Sequence, residues 1–124
     1  GLWLGAAMAG LSAEIVGVCV CDSAEFFRDK AQRLVAAART EHDLPEPEPG
    51  RLRLVDNYIA PGYGESPPEV WATMDAAAAE GLILDPSYTG KAWHGLLAER
   101  SAGRLDGSVA FIHTGGVFGL LGAA

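Results

Sequence analysis

Residues 14–20 read Glu-Ile-Val-Gly-Val-Cys-Val (EIVGVCV), and residues 52–55 read Leu-Arg-Leu-Val. The first is a short β-branched run without polar alternation, the pattern of a strand covered on both faces. Between them stand Asp22 and Ser23, both able to cap a helix. Phe26, Phe27, Ala31, Leu34, Val35 and Ala38 follow at helical spacing. Strand, helix and strand in that order predict a parallel sheet with helices against it, an α/β chain.

The flanks continue the pattern. Gly1–Leu11 (GLWLGAAMAGL) is small and apolar on all sides, as expected of a helix buried against a sheet. His42–Gly50 (HDLPEPEPG) alternates proline with acid and predicts an exposed extended loop. After Val55 comes the glycine- and proline-punctuated loop Asp56–Pro68. Pro67 and Pro68 fit a helix start, and an alanine-rich helix over Glu69–Glu80 ends at Gly81. A short strand is predicted at Leu82–Leu84, then a turn over Asp85–Gly90 leading into a helix through Gly103. Ser108–His113 reads as a further strand, Thr114–Gly116 as a tight loop, and Val117–Leu121 as the start of another helix. There is no internal repeat.

Composition narrows the class of protein. The 124 residues, 49% of them apolar and 20% charged, suit one domain with a real core. A net charge of −7, with nine scattered Lys and Arg, argues against nucleic acid as a partner. Gly1–Leu11 has no basic leader and falls far below the ~20 residues needed to span a bilayer, so no membrane partner is expected. Cys19 and Cys21 are the only cysteines. They predict core thiols, no disulfide framework, and a reducing cytoplasm as the compartment. The first residue is Gly, and the apolar start reads as though it lies mid-domain.

Ligands in parallel sheets bind beyond the carboxyl ends of strands, and the loops 56–66, 85–90 and 113–116 all follow predicted strands. The first loop carries Tyr58 and Tyr63, whose hydroxyls can hydrogen-bond and whose rings can stack on a flat cofactor. The plainer alternative is that such tyrosines pack the loop onto its own domain. The second, Asp85-Pro86-Ser87-Tyr88-Thr89-Gly90-Lys91, opens a helix whose free N–H groups suit anions, and Asp85 is a capping candidate. A phosphate loop is not supported, because Asp85 stands where its first glycine belongs and Ala92 follows the lysine. In the third, His113 and Thr114 stand at a strand end before Gly115 and Gly116, which permit close backbone approach. A lone histidine there is more often structural than catalytic. No serine sits in a nucleophile elbow, and the cysteine spacing does not suit zinc.

Three strings match a family pattern in order and spacing: Tyr58-Ile59-Ala60-Pro61-Gly62-Tyr63-Gly64; Glu80-Gly81 through Leu84-Asp85-Pro86-Ser87-Tyr88-Thr89-Gly90-Lys91-Ala92; and Phe111-Ile112-His113-Thr114-Gly115-Gly116. The chain resembles the C-terminal half of the D-cysteine desulfhydrases and 1-aminocyclopropane-1-carboxylate deaminases. These are pyridoxal-phosphate (PLP) enzymes of the tryptophan synthase β-type superfamily. The resemblance implies part of a parallel-sheet, helix-flanked large domain over residues 1–124, with PLP as cofactor, a small amino acid as substrate and a homodimer as the full-length assembly. It casts Tyr63 and Tyr88 as catalytic tyrosines facing cofactor and substrate. Thr114 becomes the partner of the pyridine nitrogen, with Gly115 beside it. Thr89 takes the place where the deaminase branch has a glutamate. A carboxylate there would hold the nitrogen protonated and a threonine would not, which favours β-elimination from a D-amino acid over cyclopropane opening.

The resemblance also implies that the Schiff-base lysine and the Ser/Gly-Gly-Thr phosphate loop belong to an N-terminal half that this chain does not contain. Lys91 corresponds to a helix residue beside the site and not to that lysine, so the chain alone is expected to be inactive. With the apolar face of Gly1–Leu11 uncovered, it is also expected to aggregate or dimerise. Two other readings stand beside this one. An orphaned remnant of such a gene would share every feature. A small nucleotide- or anion-binding α/β module would need a glycine fingerprint after the first strand, which Gly17–Asp22 does not supply.

Overall fold

The structure is a computed structural model that describes residues 1–59 and 64–121. Its elements run α1 (Leu2–Met8), β1 (Ile15–Val18), α2 (Ala24–Glu41), β2 (Leu52–Val55), α3 (Pro68–Ala79) and α4 (Thr89–Ser101), with short 3-10 turns at Pro49–Arg51 and Val117–Leu120. β1 and β2 pair in a two-stranded sheet joined through α2, the expected β-α-β unit. The chain separates into two compact units. One holds residues 1–17 and 22–55, the other residues 18–21 and 56–121 of those described. Among the described residues no helix is long and apolar enough to cross a membrane.

In the first unit, local chemistry sets the boundaries. Ser23 caps α2 by accepting a hydrogen bond from the Phe26 amide at 3.2 Å, which satisfies one of the donors a helix start leaves open. The Leu54 side chain of the paired strand packs over Gly17, where a methyl group would lie 2.7 Å from Leu54 Cδ2. Arg53 Nε reaches Glu14 Oε1 at 3.1 Å beside the same pair of strands. The proline-rich segment is partly an anchored strap. Pro47 is fully buried, and Trp3 Nε1 donates to the Glu48 carbonyl at 2.9 Å.

Three expectations need correcting here. α1 is not buried all round: Trp3 and Ala6 are covered, but Leu2 and Met8 are more than half exposed. β1 is half-buried along its whole length instead of doubly covered, because its sheet has only two strands, and β2 is half-buried like it. Cys19 is buried, but Cys21 is exposed, and neither forms a disulfide. β1 stops at Val18, so Cys21 falls in the bend before the α2 cap and has no strand face to turn inward.

The second unit is built on α3 packed against α4. Its core is Val70, Met74, Ala77 and Leu84, with Trp71, Trp93 and Phe111 packed around it. α3 ends where Gly81 takes φ +86°, a left-handed conformation that glycine adopts without steric cost. Gly90 lets the first turn of α4 close onto α3, since a methyl group there would meet Met74 Sδ at 2.6 Å. The predicted strands at Leu82–Leu84 and Ser108–His113 do not form: both segments lack strand structure. A short apolar run is a strand only when a neighbour pairs with its backbone, and no described segment of this unit supplies a ladder partner. The segment after Gly116 is a 3-10 turn, Val117–Leu120, and not an α-helix start.

Candidate active site

All the site loops belong to the second unit, and Asp85 is their hub. Its side chain has no exposed surface and accepts four hydrogen bonds. They come from the amides of Ser87 (3.0 Å), Tyr88 (2.9 Å) and Thr89 (2.8 Å) and from the Thr89 hydroxyl (2.6 Å). These are donors that the turn entering α4 would otherwise leave open, so the capping role read from the Asp-Pro-Ser-Tyr-Thr string is what the carboxyl group performs.

The third loop closes over the same carboxyl group. Gly116, at φ +93°, lies so close that a methyl group on it would stand 2.5 Å from Asp85 Oδ1 and 2.7 Å from Asp85 Cγ. His113 completes the join. The Gly115 amide donates to its Nδ1 at 3.2 Å, so the ring proton sits on Nε2, which donates to the Ile83 carbonyl at 2.8 Å. His113 is therefore structural: both ring nitrogens serve to tie loop 113–116 to the segment before Asp85. The described end of the first loop joins from the other side, where the Ser66 hydroxyl donates to the Pro86 carbonyl.

The sequence-selected residues fall into distinct groups around this hub. Thr114 is exposed, and its hydroxyl has no hydrogen-bond partner among the described residues. Gly115 beside it takes φ +101° with open space where a side chain would be. Tyr88 is 40% exposed, at the start of α4. Thr89 is different. It is buried, its hydroxyl receives the Asp85 amide at 2.8 Å, and its one proton goes to Asp85 Oδ1. Tyr63 lies outside the described residues.

Tyr58, the other loop tyrosine, packs the loop to its own unit. Its hydroxyl donates to Glu99 Oε1 at 2.8 Å, and Glu99 in turn receives Arg104 at 2.8–3.2 Å. Burial, reinforced by the hydrogen bond to Glu99, holds the Tyr58 phenol above its ordinary 10.0. Lys91 is fully buried. Its Nζ donates to the carbonyls of Ile59 at 3.0 Å and Val20 at 3.4 Å. Burial lowers the Lys91 ammonium below 10.5, partly offset by Cys21 and Glu65 nearby. These bonds point Lys91 into the protein, in keeping with its reading as a helix residue beside the site. Sequence reasoning missed its role as a brace, because a single helical lysine carries no pattern that shows where its end will go.

Thr114, Gly115 and Tyr88 stand on the two loops that meet at Asp85. They contribute an uncommitted neutral hydroxyl, glycine backbone with open space beside it, and a tyrosine that is 40% exposed. No carboxylate is presented there by Asp85, whose acceptors are turned inward to four donors.

Comparisons with known proteins give the family. Residues 1–115 match the family model described as pyridoxal-phosphate dependent enzyme. A D-cysteine desulfhydrase of Yersinia pestis (strain Pestoides F) is 40% identical over 107 residues, covering 84% of this chain and 32% of the relative. A putative 1-aminocyclopropane-1-carboxylate deaminase of Thermotoga maritima is 37% identical, covering 94% of this chain and 39% of the relative. A crystal structure described as an ACC deaminase homologue superposes with TM-score 0.80 at 33% identity, over 95% of this chain and 36% of that one. The chain thus spans about a third of the length of the curated relatives it matches. The family cofactor is pyridoxal phosphate, and with 115 of its 124 residues matched the chain belongs to the pyridoxal-phosphate-dependent enzymes.

Proposed function

We propose that this chain forms the cofactor-ring side of the active site in a D-cysteine desulfhydrase-type lyase, which splits D-cysteine into pyruvate, sulfide and ammonia. The observation that carries the reading is the buried Asp85 hub, which fixes the Tyr88 and Thr114 loops together while leaving the Thr114 hydroxyl uncommitted. When bound, PLP supplies the electron sink that allows bonds at the substrate α-carbon to break.

Thr114 would donate its hydroxyl proton to the ring nitrogen, and Gly115 would let the ring approach the backbone. Thr89 contributes indirectly in this reading. Its proton is held by Asp85, so it keeps the turn in place and leaves Thr114 as the single donor at the nitrogen. A neutral donor there favours elimination over the deaminase reaction, for which a carboxylate partner would be expected. Tyr88 faces the substrate from the start of α4, and Tyr63 shares that role on the strength of the family pattern alone.

The Schiff-base lysine and phosphate loop would come from the part of the relatives that this chain does not span, so these 124 residues alone would not turn over substrate. A homodimer working in the cytoplasm completes the reading; that Cys19 and Cys21 form no disulfide accords with a reducing compartment. The test is product analysis with D-cysteine, L-cysteine and 1-aminocyclopropane-1-carboxylate, using the protein that carries this segment with the rest of its PLP domain. Pyruvate and sulfide from D-cysteine support the proposal. 2-Oxobutanoate from the cyclopropane substrate, without turnover of D-cysteine, would move the protein to the deaminase branch.

A further inference from the structure

The buried face of α4 carries Lys91, Gly95 and Glu99 at positions i, i+4 and i+8, one above another on the same side of the helix. All three contact the Tyr58-Ile59 segment. Lys91 Nζ holds the Ile59 carbonyl at 3.0 Å and Glu99 holds the Tyr58 hydroxyl at 2.8 Å. Gly95 leaves room for the Tyr58 ring, since a methyl group there would lie 2.9 Å from Tyr58 Cδ2. The same face meets residues 18–20: the Gly95 position is 3.1 Å from Val18 Cγ1, and Lys91 Nζ is 3.4 Å from the Val20 carbonyl.

The placement of charge is informative. Lys91 is the third residue of α4 and Glu99 the third from its end, so a cation stands near the positive end of the helix dipole and an anion near the negative end. Helix electrostatics favours the reverse arrangement. Both side chains are also almost wholly buried, at 0% and 2% exposure, which is costly for ionisable groups unless their contacts repay it. Neither helix electrostatics nor solvation accounts for these residues; Lys91 is repaid by the carbonyls it holds, and Glu99 by the Tyr58 hydroxyl together with Arg104.

We propose that the Lys91–Gly95–Glu99 stripe is a positioning device for the stem of loop 56–66, with Lys91 as the principal positioning residue, and that it acts on the substrate side of the site. Asp85 governs the cofactor side. The link to substrate rests on the lyase reading above, in which the loop beyond Ile59 carries a catalytic tyrosine; the clamp itself does not. Lys91 thus serves the reaction without touching cofactor or substrate.

The experiment compares wild type with Lys91→Met, which keeps the aliphatic stem, and Glu99→Gln, which keeps the shape, in the protein carrying the complete PLP domain. Hydrogen–deuterium exchange is read at residues 56–59 and across α3. Losing a charged hydrogen-bond donor from the part-buried Ile59 carbonyl should speed local opening at 56–59 about tenfold in Lys91→Met, with α3 unchanged. Glu99→Gln should move the same residues by less. kcat/KM for D-cysteine should fall in Lys91→Met while PLP affinity is retained. Unchanged exchange at 56–59 in both variants overturns the proposal. So does an equal rise throughout α3 and α4, which would make Lys91 a general fold residue, or a loss of PLP affinity that matches the loss of kcat/KM. If wild type turns over no amino acid, the lyase reading fails while the exchange comparison still decides the clamp.

Discussion

Replacing Gly116 by alanine tests the hub directly. The new methyl group would stand 2.5 Å from Asp85 Oδ1 and 2.7 Å from its Cγ, far inside van der Waals contact. Asp85 cannot easily withdraw, because its two oxygens hold four donors of the turn into α4. Retreat would leave buried amides unpaired, and staying would strain the backbone of both loops. Gly116 also sits at φ +93°, where a residue with a Cβ costs about 1–2 kcal/mol. Adding about 1–3 kcal/mol for overpacking, the substitution should destabilise the protein by about 2–5 kcal/mol.

Gly115→Ala is the matched control. Its φ is +101° but nothing lies within 4 Å of the added methyl group, so only the backbone contribution of about 1–2 kcal/mol applies. Urea denaturation of both variants, with slopes compared to confirm that the unfolding transition is the same, measures the difference. A gap of about 1–3 kcal/mol between them is the steric contribution expected from overpacking. Equal destabilisation would refute the claim that loop 113–116 is seated on the Asp85 carboxyl group.

Three further outcomes follow from the same structure. Tyr58→Phe should remove an alkaline sensitivity. The phenol is raised above 10.0, so the folded state holds its proton longer than the unfolded state does; the resulting stability is complete below pH 10.0 and lost as pH rises through the folded value. Lys91 titrates with the opposite sign, since its lowered ammonium makes stability rise as pH approaches 10.5. The difference between wild type and Tyr58→Phe in alkaline denaturation isolates the tyrosine, and a pH-independent difference would contradict the assignment. Ser23→Ala should cost about 1 kcal/mol by thermal or urea unfolding through loss of the α2 cap, and a neutral result would show that the Phe26 amide is equally well satisfied by water.

The helices were legible because their signals are local. Ser23 before a 3.6-residue apolar pattern, paired prolines before α3 and glycine after it mark ends that the structure places within a residue or two. β1 and β2 were legible because they flank a helix that brings them side by side. The runs at 82–84 and 108–113 were misread as strands because composition reports hydrophobicity, whereas a strand also requires a partner that sequence alone does not supply. The site was legible in part. The string around Asp85 offers a capping carboxylate, and the two glycines after Thr114 signal backbone that can be approached closely, as Gly116 is by Asp85. What could not be read is where side chains end. Thr89 and Thr114 look interchangeable in sequence, yet Asp85 takes the proton of the first and leaves the second uncommitted. Lys91 likewise shows its purpose only when its Nζ is seen against two carbonyls.

The most direct measurement is a titration of apo-protein with PLP, followed by visible absorbance, in wild type and Thr114→Val of the protein that carries this segment with the rest of its PLP domain, with unfolding curves to establish that both are equally folded. Loss of the Thr114 hydroxyl from the ring nitrogen should weaken PLP binding about tenfold, the size of one hydrogen bond whose buried partner is left unpaired. Identical affinity and an identical spectrum in the two proteins would contradict the placement of the cofactor ring at Thr114.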